Sequence, residues 1–95
     1  MPSLKILIVG AGGREHALAW ALARSGLVAQ IYVAPGNAGT IWHEALNRAP
    51  SSNVAIAIDD IPALLNFAER DQIDLTVIGP LPMSVHAAVS VTNLL

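Results

Sequence analysis

Short runs of apolar residues alternate along the chain with segments whose apolar positions follow a helical spacing. Four mostly apolar segments are predicted to form strands, at residues 4–9, 30–34, 54–58 and 73–78. The first of them is continuously apolar after Lys5, which is typical of a strand buried on both faces of a sheet. Helical segments lie between and after these runs, at residues 14–25, 41–48, 61–68 and 83–95. This alternation predicts an α/β fold: a Rossmann-like parallel sheet of about four strands with helices on both faces.

The ends of two predicted helices carry specific signals. Gly26 follows the first helix, and we expect it to end that helix in the left-handed conformation that glycine adopts easily. Asp59 or Asp60 precedes the helix that starts at residue 61 and is expected to cap it, and Pro62 suits a first turn. Apolar residues then recur at intervals of three and four, which predicts one buried face made by Ile61, Leu64, Leu65 and Ala68.

Composition restricts the class of protein. The 95 residues allow one domain. Apolar residues make up 54% and charged residues only 13%, which predicts a sheet buried on both faces or a surface that another chain covers. The net charge of −2 gives no basic field for nucleic acid, no run reaches the roughly 20 apolar residues of a membrane span, and cysteine is absent. We therefore expect a cytoplasmic protein with neither nucleic-acid nor membrane partners.

Three glycine-bearing loops, at residues 10–13, 35–40 and 79–80, follow predicted strands. In a parallel sheet such loops meet at the carboxyl ends of the strands, where ligands bind. In the first loop, Gly10, Gly12 and Gly13 precede a helix, whose bare N–H groups suit an anion. Arg14 follows, although a cation is unfavourable at that end of a helix unless an anion lies nearby. A phosphate site is one interpretation; a tight turn followed by a solvated Arg14 is the other.

The first loop fits a dinucleotide site poorly. Gly10 and Gly12 match the G-x-G-x-x-G pattern, but Glu15 stands where the third glycine allows close packing of helix and strand. The end of the second strand, around Tyr32, also lacks the acid that would bind ribose hydroxyls. A small phosphorylated metabolite is therefore favoured over NAD.

The second loop is a candidate for another part of the same cradle. Gly36 and Gly39 allow a positive φ, and Asn37 and Thr40 offer polar side chains. An ordinary strand-to-helix loop explains these residues equally well. We identify no catalytic residue and no metal ligand: the histidines have no ligand spacing, and the aspartates suit caps and solvated positions. The large aromatic residues are expected in or near the core: Trp20, Trp42 and Phe67.

Three motifs carry a family resemblance: VGAGGREHALAW from residue 9, YVAPGNAGT from residue 32 and DLTVIGP from residue 74. On these motifs the chain resembles the N-terminal domain of phosphoribosylamine–glycine ligases, ATP-grasp ligases of purine biosynthesis that join phosphoribosylamine to glycine. The resemblance covers residues 4–80 and implies a domain that precedes an ATP-grasp domain and binds the phosphoribosyl substrate. The binding residues that it implies are Gly10, Gly12, Gly13, Arg14, Glu15, Pro35, Gly36, Asn37, Gly39, Thr40, Gly79 and Pro80.

The resemblance also implies what this chain lacks. Full-length members use ATP and magnesium or manganese, whereas we expect no cofactor in these 95 residues and no ligase activity from them alone. The family has an acid after its third loop, but Leu81 follows Pro80 here, and residues 81–95 form a divergent tail. We expect a truncated domain that self-associates through an open sheet edge, or that pairs with a separate ATP-grasp domain if the gene is split. The alternative is a stand-alone, non-catalytic phosphate- or nucleotide-binding module.

Overall fold

The computed structural model describes residues 3–44 and 47–78. In chain order the elements are β1 (Leu4–Gly10), α1 (Gly13–Leu22), β2 (Val28–Pro35), a 3-10 turn (Ala38–Thr40), β3 (Ser51–Asn53), α2 (Ile61–Arg70) and β4 (Leu75–Ile78). The predicted third loop with Gly79 and Pro80, the helix at 83–95 and the tail all lie outside the described residues.

The four strands form one sheet in the order β3-β2-β1-β4, and every pairing between neighbours is parallel. Ile8 at the centre of β1 lies opposite Val33 of β2 on one side and Val77 of β4 on the other. This arrangement confirms the predicted α/β class. Because the chain order reverses between β1 and β4, the loop after β1 leaves the sheet at the place where parallel sheets open a crevice.

The helices cover opposite faces of the sheet, as predicted. Ile6 and Ile8 point to the face covered by α1, where Ala19 is fully buried. The alternate residues of β1, Leu7 and Val9, point to the face covered by α2 and contact the cluster around Phe67. Side chains of successive residues in a strand point to opposite faces, so the uninterrupted apolar run of β1 fills both cores.

The first helix ends earlier than predicted. It stops at Leu22, and Gly26 does not have a positive φ. The hydroxyl of Ser25 accepts the N–H of Leu27 at 3.2 Å, and the carbonyl of Ser25 accepts the N–H of Val28. Ser25 therefore supplies the local hydrogen bonds that turn the chain into β2, a role that serine often takes in turns.

The helix predicted at 41–48 is wrong for the described residues of that segment. Trp42 is extended and exchanges two backbone hydrogen bonds of 3.0 Å with Ser51. Its indole N–H donates to the carbonyl of Ala49 at 2.8 Å, and its ring packs against the core on the α1 side. Long-range contacts of the indole thus outweigh the local helical spacing. Trp20, in contrast, is 42% exposed rather than part of the core.

The third strand is displaced from its predicted position. It comprises Ser51–Asn53, whereas the apolar residues 54–58, where the sequence predicted the strand, form no strand. Val54, Ile56 and Ile58 nevertheless pack against the core on the α2 side. Three of the five residues therefore contribute to the core, whereas Ala55 and Ala57 are exposed, and the backbone pairing with β2 is made by Ser51–Asn53.

Candidate functional site

The glycine loop, residues 10–13, joins β1 to α1 and needs a glycine at its first position. Gly10 has φ +150°, and the carboxylate of Glu15 occupies the space that a side chain there would take. Glu15 Oε1 accepts the N–H of Gly12 at 3.0 Å. The helix thus begins with its own acidic side chain folded back under the loop, as in a capping box.

The first turn of α1 has backbone donors that lack an acceptor within the helix. Gly13, Arg14 and Glu15 occupy the first three helical positions, whose N–H groups have no acceptor within a helix. Gly13 and Arg14 are exposed. In the described part of the chain the one ion pair joins Arg70 to Asp71, so the guanidinium of Arg14 is not held by a carboxylate. A helix dipole, two exposed N–H groups and one cation are a suitable environment for a phosphate.

The second loop, residues 36–40, is fixed by its own polar side chains. Asn37 Oδ1 accepts the N–H of Gly39 at 2.7 Å, and Thr40 Oγ1 accepts the N–H of Asn37 at 2.8 Å. These two bonds close the 3-10 turn, and the side chain of Thr40 is fully buried. The loop is therefore more ordered than a plain solvated connection between elements.

Hydrogen bonds join the two loops into one crevice at the carboxyl ends of β1 and β2. The N–H of Gly36 donates to the carbonyl of Gly10 at 3.0 Å. The side-chain amide of Asn37 donates to the carbonyl of Ala11 at 2.9 Å and to that of Gly12 at 3.2 Å. Pro35, preceded by a cis peptide bond, lies opposite Gly10 in the sheet. The loop residues predicted from sequence between positions 10 and 40 thus lie together.

Asn53, at the carboxyl end of β3, is a residue that the sequence analysis missed. Its side-chain amide donates to the carbonyl of Asn37 at 2.8 Å, and its Oδ1 accepts the hydroxyl of Thr40 at 2.5 Å. It also fills the space beside Gly36. Asn53 therefore holds the second loop in place. An asparagine in a polar stretch gives no sequence signal for this role, because the role depends on the pairing of β3 with β2.

Side chains of α1 extend the crevice away from the sheet. A side chain at Gly39 would meet the imidazole of His16, with Nδ1 2.7 Å from the position of the added carbon. His16 is exposed and lies beside the second loop. A groove of about 380 Å³ follows this face of α1 and is lined by Gly13, His16, Ala17 and Trp20.

A larger cavity of about 720 Å³ lies elsewhere, near the amino ends of β2 and β3. Arg24, Glu44 and Arg48 line it, but none of the residues predicted to bind a ligand does. Ligands of parallel α/β sheets bind at the carboxyl ends of the strands. We therefore place the candidate site at the two loops rather than in this larger space.

The described residues supply limited chemistry besides anion and hydroxyl binding. Among them, no group of three histidine, aspartate or glutamate side chains is arranged to hold a metal ion. At the crevice Glu15 provides the carboxylate, and it already accepts a backbone hydrogen bond. No helix within residues 3–44 and 47–78 is long and apolar enough to cross a membrane.

Comparison with known proteins gives consistent matches. The family model described as phosphoribosylglycinamide synthetase, N domain, matches residues 4–92. The phosphoribosylamine–glycine ligases of Escherichia coli (strain K12) and Salmonella typhimurium (strain LT2) are each 57% identical to the chain over 77 residues. That of Allochromatium vinosum is 56% identical over the same length. Each match covers 81% of this chain and 17% of the relative, so the chain matches about a sixth of the length of these curated relatives.

Proposed function

The chain belongs to the phosphoribosylglycinamide synthetase N-domain family, and from that membership we propose that it binds the phosphoribosyl group of phosphoribosylamine for a phosphoribosylamine–glycine ligase of purine biosynthesis. The observation that carries the proposal is the crevice formed by the two hydrogen-bonded loops at the carboxyl ends of β1 and β2. A ligand held there would contact both of the loops that the family motifs contain.

The phosphate of the ligand would bind at the start of α1. Gly13 and Arg14 are exposed residues of the first turn, where the N–H groups have no acceptor within the helix, and the Arg14 guanidinium adds a positive charge. Backbone donors and a helix dipole bind an anion without regard to the rest of the molecule. The ribose would then extend towards the second loop, where Asn37 and Gly39 form one wall.

The family resemblance implies ATP and a metal ion for full-length members, and we propose no cofactor for this chain itself. Among the described residues no group of three histidine, aspartate or glutamate side chains could hold a metal ion. We therefore derive no catalytic step from this chain. Its proposed contribution is to bind and orient one substrate, and we expect no ligase turnover from these residues alone.

Titration with ribose 5-phosphate tests the proposal. In isotope-labelled protein, the backbone amide signals of residues 10–14 and 36–40 are expected to move on addition of the ligand. Gly12→Val should weaken binding at least tenfold, since its branched side chain would stand over the loop where backbone meets phosphate. An added Cβ at Gly12 lies 3.5 Å from Glu15 Oε1, an ordinary contact, so the fold should persist.

Gly26→Val is the matched control, because nothing lies within 4 Å of a Cβ at that position and the residue is remote from the crevice. It should bind as the unsubstituted chain does. Signal changes that cluster away from both loops would contradict the assignment. Tighter binding of NAD than of ribose 5-phosphate would instead favour a stand-alone nucleotide-binding module.

A further inference from the structure

The carboxylate of Glu15 occupies part of the loop that an anion would otherwise use. Its Oε1 accepts the N–H of Gly12 at 3.0 Å, and the carboxyl group fills the space that a side chain at Gly10 would take. Gly10 is buried and Glu15 is half-buried, so this acid is part of the floor of the crevice rather than a freely solvated side chain. In a simple phosphate-binding loop the N–H of Gly12 would be open to the ligand.

The position of this carboxylate has two consequences for a ligand. Gly12 and Gly13 are consecutive, and their α-carbons are about 3.8 Å apart, so a phosphate at the N–H of Gly13 would lie close to a group of the same charge. An ionised carboxylate has only acceptor sites, about four of them. One is taken by Gly12, and the others remain for hydroxyl or amino donors.

We propose that Glu15 determines the ligand specificity of the glycine loop: it disfavours a free phosphate ion and favours a phosphate ester whose hydroxyl or amino groups donate to its carboxylate. This inference rests on the proposed function, in which a phosphorylated sugar enters the crevice. The phosphate then binds at Gly13 and Arg14, and a donor of the sugar or its amino substituent binds at Glu15. In dinucleotide-binding folds an acid at the end of the second strand binds the ribose hydroxyl groups. In this loop Glu15 would bind the hydroxyl or amino groups of the ligand.

Glu15→Gln tests the inference, because the amide retains an acceptor for the N–H of Gly12 but has no charge. Inorganic phosphate is the probe, and its affinity is expected to rise about fivefold, the effect of removing one nearby like charge in a hydrated site. In the unsubstituted chain ribose 5-phosphate should bind at least fivefold more tightly than inorganic phosphate, and this preference should shrink in Glu15→Gln. Glu69→Gln, on the exposed surface of α2, removes the same charge elsewhere and should change neither affinity.

A second measurement needs no variant. With labelled glutamate, the side-chain carboxyl signal of Glu15 should move when ribose 5-phosphate is added and stay in place when inorganic phosphate is added. Unchanged or weaker phosphate binding in Glu15→Gln would overturn the inference, as would a Glu15 signal that does not respond while the amides of Gly13 and Arg14 do. If ribose 5-phosphate moves neither set of signals, the proposed function fails, and the phosphate affinities of the two proteins still decide the role of Glu15.

Discussion

Gly36 is the residue at which the second loop depends on the absence of a side chain. Its φ is +77°, and an added Cβ would lie 2.7 Å from Thr40 Oγ1 as well as against the carboxamide of Asn53. Both neighbours hold the loop by hydrogen bonds. The position is therefore restricted by backbone conformation and by contact at the same time.

Gly36→Ala is expected to lower the free energy of unfolding by about 2–4 kcal/mol, the combined cost of a strained φ and of overpacking. Gly26→Ala is the control, since its Cβ would meet nothing and its φ is not positive; it should change stability by less than about 0.5 kcal/mol. Urea denaturation of both variants measures the difference. Equal stability of the two would contradict the contacts assigned to Gly36.

Tyr32 is expected to make the stability of the fold depend on pH in the alkaline range. Burial raises the pKa of its hydroxyl above the usual 10.0, and the negative charge of Asp71 raises it further. The folded state thus prefers the neutral phenol. Below a pH of about 10 the phenol of Tyr32 is protonated in both the folded and the unfolded chain, and its contribution to folding stability is complete. This contribution is lost as the pH rises through the pKa that Tyr32 has in the folded state.

Tyr32→Phe should remove this part of the pH dependence, because phenylalanine has no hydroxyl to ionise. It retains the ring, whose centroid lies 5.1 Å from that of Phe67 in an edge-on arrangement. Denaturation at a series of pH values from about 8 to about 11 measures how the unfolding free energy of each protein depends on pH. The unsubstituted chain should lose more unfolding free energy over that range than the variant does. If both proteins lost the same unfolding free energy over this range, the pH dependence would come from groups other than Tyr32.

At the scale of elements, the second helix is the one whose sequence signals agree with its structure. Asp60 caps it, with Oδ1 accepting the N–H of Ala63 at 3.2 Å, and Pro62 lies in its first turn. Leu64 and Ala68 of the predicted apolar face are buried, as is Phe67. The cap and the apolar spacing predict its start at residue 61 and its buried face correctly, and the helix runs two residues past the predicted end, to Arg70.

Asp60→Ala is expected to cost about 1 kcal/mol of unfolding free energy, the usual effect of removing a capping side chain. Asp59→Ala removes the same charge one residue earlier, where the described contact is a backbone carbonyl that accepts the N–H of Ile61; it should cost a few tenths of that. Thermal denaturation of the two variants distinguishes the loss of the capping hydrogen bond from the loss of a negative charge. Equal losses would mean that the charge, not the hydrogen bond, stabilises the helix.

At the scale of the whole molecule, the described surface carries several large apolar side chains. Leu75 on β4 is 46% exposed, Ile41 58% and Leu27 63%. Within the described residues β4 pairs with one strand, β1. A strand that has one partner among the described residues and carries an exposed apolar residue offers an edge for pairing with another chain, so we expect the chain to self-associate through β4.

Leu75→Lys should weaken this association at least fivefold, because a charge on an edge strand opposes pairing. Leu27→Lys, in the turn between α1 and β2, changes the charge equally at a distant exposed site and should leave association unchanged. Sedimentation over a wide concentration range measures both. A monomer at every concentration would refute the expectation, and equal effects of the two lysines would place the contact elsewhere.

The candidate site could be located from sequence, but its internal contacts could not. Glycines at the ends of predicted strands were sufficient to identify the loops at residues 10–13 and 35–40, because parallel strands bring their carboxyl ends to one edge. The bridges made by Asn37 to the first loop and by Asn53 to the second follow from strand register. Register is set by pairing between distant segments, and no local pattern encodes it.

The sequence by itself determined the α/β class, the burial of β1 on both faces, the capped second helix and the loops that meet at the crevice. These properties follow from interactions between near neighbours or from a periodicity that is visible along the chain. Only the tertiary structure decided which three residues pair with β2, why the segment after the 3-10 turn is extended around Trp42 and that Glu15 turns back to Gly12. Each of these depends on side chains or backbone groups that the fold brings together, and their contacts outweigh weak local preferences.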